Sequence, residues 1–98
     1  MAMPPYPIHC QHSGCERLAT FKIAARWSDG VTEELKTYAL CCDQCLPDSF
    51  RQSRRKRASC RLAAGEILET PGIYQLDPGK RDRSLQRRRD LEETLSRQ

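Results

Sequence analysis

Six cysteines are the residues of this 98-residue chain with the clearest capacity for chemistry, and four of them form two spaced pairs. Cys10 and Cys15 are separated by four residues, whereas Cys42 and Cys45 are separated by two. This spacing is typical of thiolates that converge on one tetrahedral Zn²⁺ at Zn–S distances of about 2.3 Å. We therefore predict one structural zinc ion whose four sulfur ligands leave no open position for a substrate.

Two residues close in sequence to the four cysteines, Cys41 and His12, are alternative ligands for this site. Cys42 is preferred over Cys41 because it gives the two-residue spacing to Cys45 that a turn between a strand and a helix requires. Cys41 remains the alternative ligand, and is otherwise interpreted as a small buried residue. His12 lies between the cysteines of the first pair, and we interpret it as a solvated loop residue rather than as a replacement ligand.

Disulfides would be another use for six cysteines. We do not expect them, because the N-terminal segment lacks the basic and apolar regions of a secretion signal. Cysteines in a reducing compartment more often bind metal than pair with each other. No apolar run approaches the length of about 20 residues that spans a bilayer. The sequence therefore predicts a soluble, cytoplasmic protein without a membrane partner.

The low apolar content explains why the fold would need a metal. Only 38% of the residues are hydrophobic, with one Trp and two Phe, so the core must be small. A structural zinc contributes an apparent free energy of about 10–16 kcal/mol, which is comparable to the whole stability of a small domain.

An alternating segment between the two cysteine pairs predicts a β-hairpin. Every second residue is apolar in this segment: Phe21, Ile23, Ala25 and Trp27. A period of two is typical of a strand with one buried face. Asp29-Gly30 is a turn signal, and residues 35–41 form the predicted return strand. We expect Phe21 to face Leu40 and Ile23 to face Tyr38, since this register pairs the larger side chains.

A helix is predicted from Pro47 to about Ala64. Proline at a first helical position, Asp48 in the first turn and Gly65 as a stop signal support it. One stripe of this helix should face the hairpin, and its members are Leu46, Phe50, Ser53, Cys60 and Ala64. We therefore interpret Cys60 as a core residue. Arg57 falls in the same stripe, with its guanidinium either in water or beside a carboxylate.

The remaining sequence predicts a short strand and a basic tail. Ile73 to Leu76 follows a Pro-Gly turn signal and is expected to add a third strand to the hairpin. From Lys80 the chain is rich in arginine and predicted to be helical, either frayed or ordered on a partner. We therefore divide the chain into an extended arm (1–9), a zinc-binding domain (10–76) and a basic helical or partly disordered tail (77–98).

The order of these elements resembles that of treble-clef zinc fingers. The resemblance rests on the spaced pair Cys10-x4-Cys15, a hairpin from Ala19 to Leu40, and Cys42-x2-Cys45 leading into a helix, which together cover about half of the chain. It implies a small α+β zinc-stabilised domain, here with a short extra strand and a C-terminal helical tail. Nuclease members of the group carry a histidine in or after the hairpin. The histidines of this chain lie beside the first pair, so the resemblance does not extend to that activity.

Positive charge is concentrated in the second half of the chain. Residues 1–50 contain four Lys/Arg and six Asp/Glu, and residues 51–98 contain thirteen and seven, so charges of −2 and +6 give the total of +4. Five cations of the predicted helix and its end form a candidate binding surface: Arg51, Arg54, Arg55, Lys56 and Arg61. We expect this surface to be exposed, with Phe50 and Cys60 turned inward.

These features favour a non-enzymatic, zinc-stabilised interaction module that binds a protein partner. The alternative is a nucleic-acid-binding zinc finger that uses the basic helix 51–61, although aromatic residues are not interleaved with the cations. An enzyme is not expected, because the sequence lacks the His-x-Glu segment of a zinc deaminase and the βαβ setting of a dithiol oxidoreductase. For the same reason we expect no small-molecule substrate.

Overall fold

Residues 8–76 and 85–97 form a small α+β fold, as described by a computed structural model of the chain. Five antiparallel strands and two helices follow one another as β1 (Phe21–Ser28), β2 (Glu33–Cys41), α1 (Leu46–Ala58), β3 (Ile67–Leu68), β4 (Gly72–Gln75), β5 (Gln86–Arg87) and α2 (Arg89–Ser96). The strand order is β2-β1-β4-β5, and β3 pairs with the far end of β1. Within the described residues no helix has both the length and the apolar character needed to cross a membrane.

The predicted hairpin is confirmed, but its register is wrong at the cysteine end. β1 and β2 are joined by a four-residue loop, which would place Phe21 opposite Leu40 in a regular ladder. Phe21 instead pairs with Cys41, because the register shifts next to Ile23. Tyr38 is the extra residue on β2, a β-bulge, and does not face Ile23. A pattern with a period of two carries no signal for such an insertion.

β1 is buried more completely than a strand with one apolar face. Residues 21–25 are buried without interruption, so the predicted alternation of buried and exposed positions is wrong here. The reason is that β1 is a central strand, paired with β2 on one edge and with β3 and β4 on the other. Lys22, which is 8% exposed, lies between Leu40 and Tyr74.

Helix α1 begins where the sequence predicts but ends earlier. Its first turn contains Pro47 and Asp48, and its last residue is Ala58 rather than Ala64. Residues 58–65 are all exposed, so a longer helix would have had no face to bury. Cys60 is therefore exposed, and the prediction that it lies in the core is wrong.

The chain leaves α1 early because it returns to the sheet as β3. Arg57 supports this path, since its Nη2 donates a hydrogen bond of 2.8 Å to the backbone carbonyl of Leu68 in β3. Its guanidinium thus meets a carbonyl instead of the water or carboxylate expected from the sequence. Gly65, predicted to stop the helix, lies in the turn before β3.

The core is one cluster that includes the cysteine end. Its buried members are Cys10, Phe21, Ile23, Cys41, Cys42, Leu46, Phe50 and Ile73. Leu91 and Leu95, four residues apart on α2, pack against this cluster. The second helix therefore contributes to the same core as the first.

The predicted third strand is confirmed as β4, which pairs antiparallel with β1. Next to it, the Glu92 carboxylate of α2 accepts hydrogen bonds from the backbone N–H of Ile73 at 3.0 Å and from Arg87 Nε at 2.9 Å and Nη2 at 3.0 Å. We call this group of Glu92, Arg87 and Ile73 the Glu92 clasp. It joins α2 to β4 and β5. Residues 1–7 of the predicted arm, and residues 77–84 and 98 of the predicted tail, lie outside the described residues.

The outer edge of β2 is partly covered near the cysteines. The backbone N–H of Gln11 donates to the carbonyl of Leu40 at 2.8 Å, and the Gln11 side-chain oxygen accepts from the Leu40 N–H at 3.2 Å. Further along, the same strand carries the exposed charges Glu33, Glu34 and Lys36. Charged side chains on an edge strand oppose pairing with other chains.

Candidate metal centre

Four cysteine sulfurs meet at one end of the sheet. Those of Cys10, Cys15, Cys42 and Cys45 all lie within 4.8 Å of one another, and the Cys15 and Cys42 sulfurs are 3.7 Å apart. A tetrahedron with Zn–S bonds of about 2.3 Å has sulfur–sulfur edges of about 3.8 Å. The dimensions of the cluster therefore fit one tetrahedral metal ion.

The first pair is held by a tight turn, or knuckle, formed by residues 10–15. Hydrogen bonds of 2.8 Å from Cys10 N–H to the Arg17 carbonyl and of 3.0 Å from Cys15 N–H to the His12 carbonyl close this turn. Gly14 has a φ of +80°, a left-handed conformation that glycine adopts without the steric cost of a Cβ.

The second pair lies where β2 passes into α1. Cys42 directly follows β2, and Cys45 is the N-cap residue of α1. Burial acts to raise the pKa of Cys42, but backbone N–H groups of Cys45 and Gln44 and the neighbouring thiols outweigh it and lower the pKa to about 7. Burial raises the pKa of Cys45 in the absence of a metal. A bound cation favours the thiolate form of all its ligands.

Cys41 points into the core instead of joining the four sulfurs. It is 0% exposed and belongs to the core cluster, outside the four-sulfur group. Burial raises the pKa of its thiol to about 12, which disfavours the thiolate that a metal requires. All six cysteines of the chain are free of disulfides.

An interaction between His12 and Asp48 was missed by the sequence analysis. The two side chains approach to 2.6 Å between His12 Nε2 and Asp48 Oδ2, and so connect the knuckle to the first turn of α1. The pKa of His12 is raised chiefly by this hydrogen bond, and that of Asp48 is lowered by it. His12 is thus anchored and partly buried, which corrects its interpretation as a solvated loop residue. The two residues are far apart in sequence, and no spacing signal pointed to their contact.

The predicted cationic residues are exposed, as expected. Four of them, Arg51, Arg54, Arg55 and Lys56, lie on α1. Arg61 is also exposed but follows the end of the helix. Phe50 is turned inward, at 3% exposure, as predicted.

Comparisons with protein-family models, curated proteins and solved structures find no match to this chain. The chemistry of the site therefore rests on its own geometry. What that geometry provides is a compact group of four thiols, two of them buried, that fits a single tetrahedral ion.

Proposed function

We propose that this chain is a non-enzymatic, zinc-stabilised interaction module with a treble-clef-like metal site. The observation that carries the proposal is the convergence of four cysteine sulfurs from two distant segments within 4.8 Å. Soft thiolate ligands in a tetrahedral arrangement favour Zn²⁺ among the common cellular cations. The knuckle, the hairpin and the start of α1 supply these ligands in the order seen in treble-clef fingers.

The metal in this proposal is structural. Four thiolates complete the tetrahedral shell of Zn²⁺ and leave no position for a water molecule or substrate. Cys10 and Cys42 are also members of the core cluster, so the ion would cross-link the knuckle and the end of β2 next to the apolar core. The role of the ion would be to fix the relative positions of these segments and of the protein surface that they form.

The function of such a module lies in the surface that the metal stabilises. The binding of a protein partner stays a prediction from the sequence. The exposed cations of α1 support the nucleic-acid alternative.

Metal analysis of the purified protein tests the proposal. We expect one zinc per chain by elemental analysis and native mass spectrometry, and loss of that zinc to a mild chelator in Cys42→Ser. Cys60→Ser is the matched control, because Cys60 is exposed and lies outside the four-sulfur group, and it should retain the ion. Absence of metal, or two metal ions per chain, would contradict the proposal.

A further inference from the structure

Helix α1 has one buried and one strongly cationic side. Its buried residues are Leu46, Ser49, Phe50 and Ser53. Its exposed residues, which we call the outer face of α1, are Arg51, Gln52, Arg54, Arg55, Lys56 and Ala58. Four of these six residues carry a positive charge and none carries a negative charge. The basic residues of α1 are thus of two kinds: Arg57, which contacts the rest of the fold, and those that are exposed to solvent.

Two neighbouring arginines illustrate this separation. Arg57 is half-buried and takes part in the fold through its 2.8 Å hydrogen bond to Leu68. Arg54 is exposed, and its guanidinium lies 5.7 Å from the ring centroid of Phe50. Such a cation–π contact restricts the side chain while leaving its N–H donors available. At 100° per residue, Arg51, Arg54 and Arg55 project within an arc of about 100° on this helix, and Lys56 lies about 100° beyond Arg55.

The single acidic residue of α1 lies at its first turn. The Asp48 carboxylate contacts His12 of the knuckle at 2.6 Å, and it also accepts hydrogen bonds from Arg51 at 3.3 Å and Gln52 at 3.0 Å. It is half-buried between the knuckle and the helix. The charged residues in the later turns of the outer face are therefore all cations.

The outer face of α1 lacks the apolar anchor that protein interfaces use. Among the described residues, the large apolar side chains with high exposure are Leu18, Val31, Leu62 and Ile67, and none is on α1. Affinity between proteins comes largely from a few buried aromatic or apolar anchors at the centre of the interface. Contacts to a phosphate backbone require cations alone. The composition of this face therefore favours a phosphate polyanion over a protein.

We propose that the outer face of α1 binds the sugar–phosphate backbone of a nucleic acid through Arg51, Arg54, Arg55 and Lys56. The proposal rests on the zinc-stabilised module described above, since α1 begins directly after the proposed ligand Cys45. It implies recognition without sequence preference, because phosphate contacts carry no base information. Arg61 lies beyond the helix end and is not required.

Fluorescence anisotropy with the zinc-loaded full chain provides the test. The probes are a labelled single-stranded RNA and a labelled DNA duplex, each of about 20 nucleotides or base pairs and mixed sequence. Four phosphate contacts predict a slope of log affinity against log salt of about −3.6 for the duplex, and about −2.8 for the single strand. Affinity for the duplex should then fall about 100-fold between 50 and 200 mM salt.

A pair of double variants assigns the binding to α1. Arg54→Gln with Arg55→Gln should make the duplex salt slope less negative by about 2 and lower affinity about tenfold or more at 50 mM salt. Arg26→Gln with Arg97→Gln removes the same charge from exposed positions on β1 and directly after α2, and should change both quantities little. Zinc content and melting temperature should be unchanged in both variants, since exposed charges contribute little to stability.

Three outcomes would overturn this proposal. They are no binding of either probe at 50 mM salt, an equal loss of affinity in the two double variants, and displacement of the probes by a polyglutamate peptide as readily as by unlabelled oligonucleotide. The last outcome would point to an acidic protein partner. A zinc-loaded, folded protein that fails to bind would refute this proposal alone, whereas a protein without zinc would refute the module itself.

Discussion

Two regions of the fold are held together by different chemistry. At the cysteine end, four thiols from the knuckle and from the β2–α1 junction meet within 4.8 Å. In the second region, the Glu92 clasp links α2 to β4 and β5 through three hydrogen bonds. Both arrangements draw distant segments onto one polar centre.

The segments that these two centres join differ in the further contacts that hold them in place. The knuckle forms neither helix nor strand. Besides its cysteines, it is joined to the rest of the fold by the hydrogen bonds of Gln11 with Leu40 and of His12 with Asp48. Helix α2 is additionally packed on the core through Leu91 and Leu95. We therefore expect the cysteine end to depend more strongly on a bound metal, whereas the Glu92 clasp reinforces elements that packing already positions.

Removal of the metal should have the largest effect and should unfold the cysteine end. The apparent contribution of a structural zinc, about 10–16 kcal/mol, exceeds or equals the total stability of about 5–15 kcal/mol expected for a domain. Titration with a strong chelator, followed by circular dichroism and amide dispersion in NMR spectra, should therefore record unfolding. A metal-free protein with native dispersion would show that the cysteine end is self-sufficient.

Glu92→Gln should weaken the region of the Glu92 clasp by a smaller amount. Loss of the charge-assisted bonds to Arg87 is expected to cost about 1.5–3 kcal/mol, measured by urea unfolding. Glu93→Gln is the matched control, because the Glu93–Arg97 pair is exposed, at 68% and 75% for the two side chains. It should cost less than about 1 kcal/mol. Equal effects of the two substitutions would mean that the Glu92 clasp has no special role.

Cys41→Ala should separate the core role of a cysteine from the ligand role. Because Cys41 is fully buried, truncation is expected to cost about 1–2 kcal/mol through lost packing. One zinc per chain should nevertheless remain bound in native mass spectrometry. Loss of zinc from this variant, with retention in Cys42→Ser, would exchange the assignments of the two residues.

Gly14→Ala should give the smallest of these effects on stability. A Cβ meets no atom within 4 Å at Gly14 or at Gly30, and the two residues have φ values of +80° and +92°. Each substitution should therefore cost about 1 kcal/mol of backbone strain alone. Only Gly14→Ala should also accelerate zinc transfer to a chelator, since Gly30 lies in the hairpin loop. Equal transfer rates in the two variants would contradict a coupling of the knuckle to the metal.

Local signals in the sequence were sufficient for part of this fold. The alternation that begins at Phe21, followed by Asp29-Gly30, predicted the hairpin. A β-hairpin can be predicted in this way because its strands and its turn are specified by residues close together in the sequence. The spacing of the cysteines within each pair is local too. A hairpin between the pairs returns the second pair to the first, and the four sulfurs do converge.

The features that could not be predicted from the sequence depend on contacts between residues far apart in the chain. The extra residue Tyr38 shifts the register without changing the apolar pattern. The helix ends at Ala58, well before the stop signal Gly65, because β3 pairs with β1. The contact of His12 with Asp48 joins two segments that meet only in the folded chain. In each case a tertiary contact overrides or adds to a local preference.

Gln11 covers part of the outer edge of β2, and this cover affects the tendency of the protein to aggregate in concentrated solution. Gln11 satisfies both backbone groups of Leu40 at the sheet edge, and it directly follows the cysteine that begins the knuckle. When the metal leaves, this cover should leave with it, and bare strand edges recruit further chains. We therefore expect the metal-free protein to form aggregates whose onset depends on protein concentration, so that zinc protects solubility as well as shape.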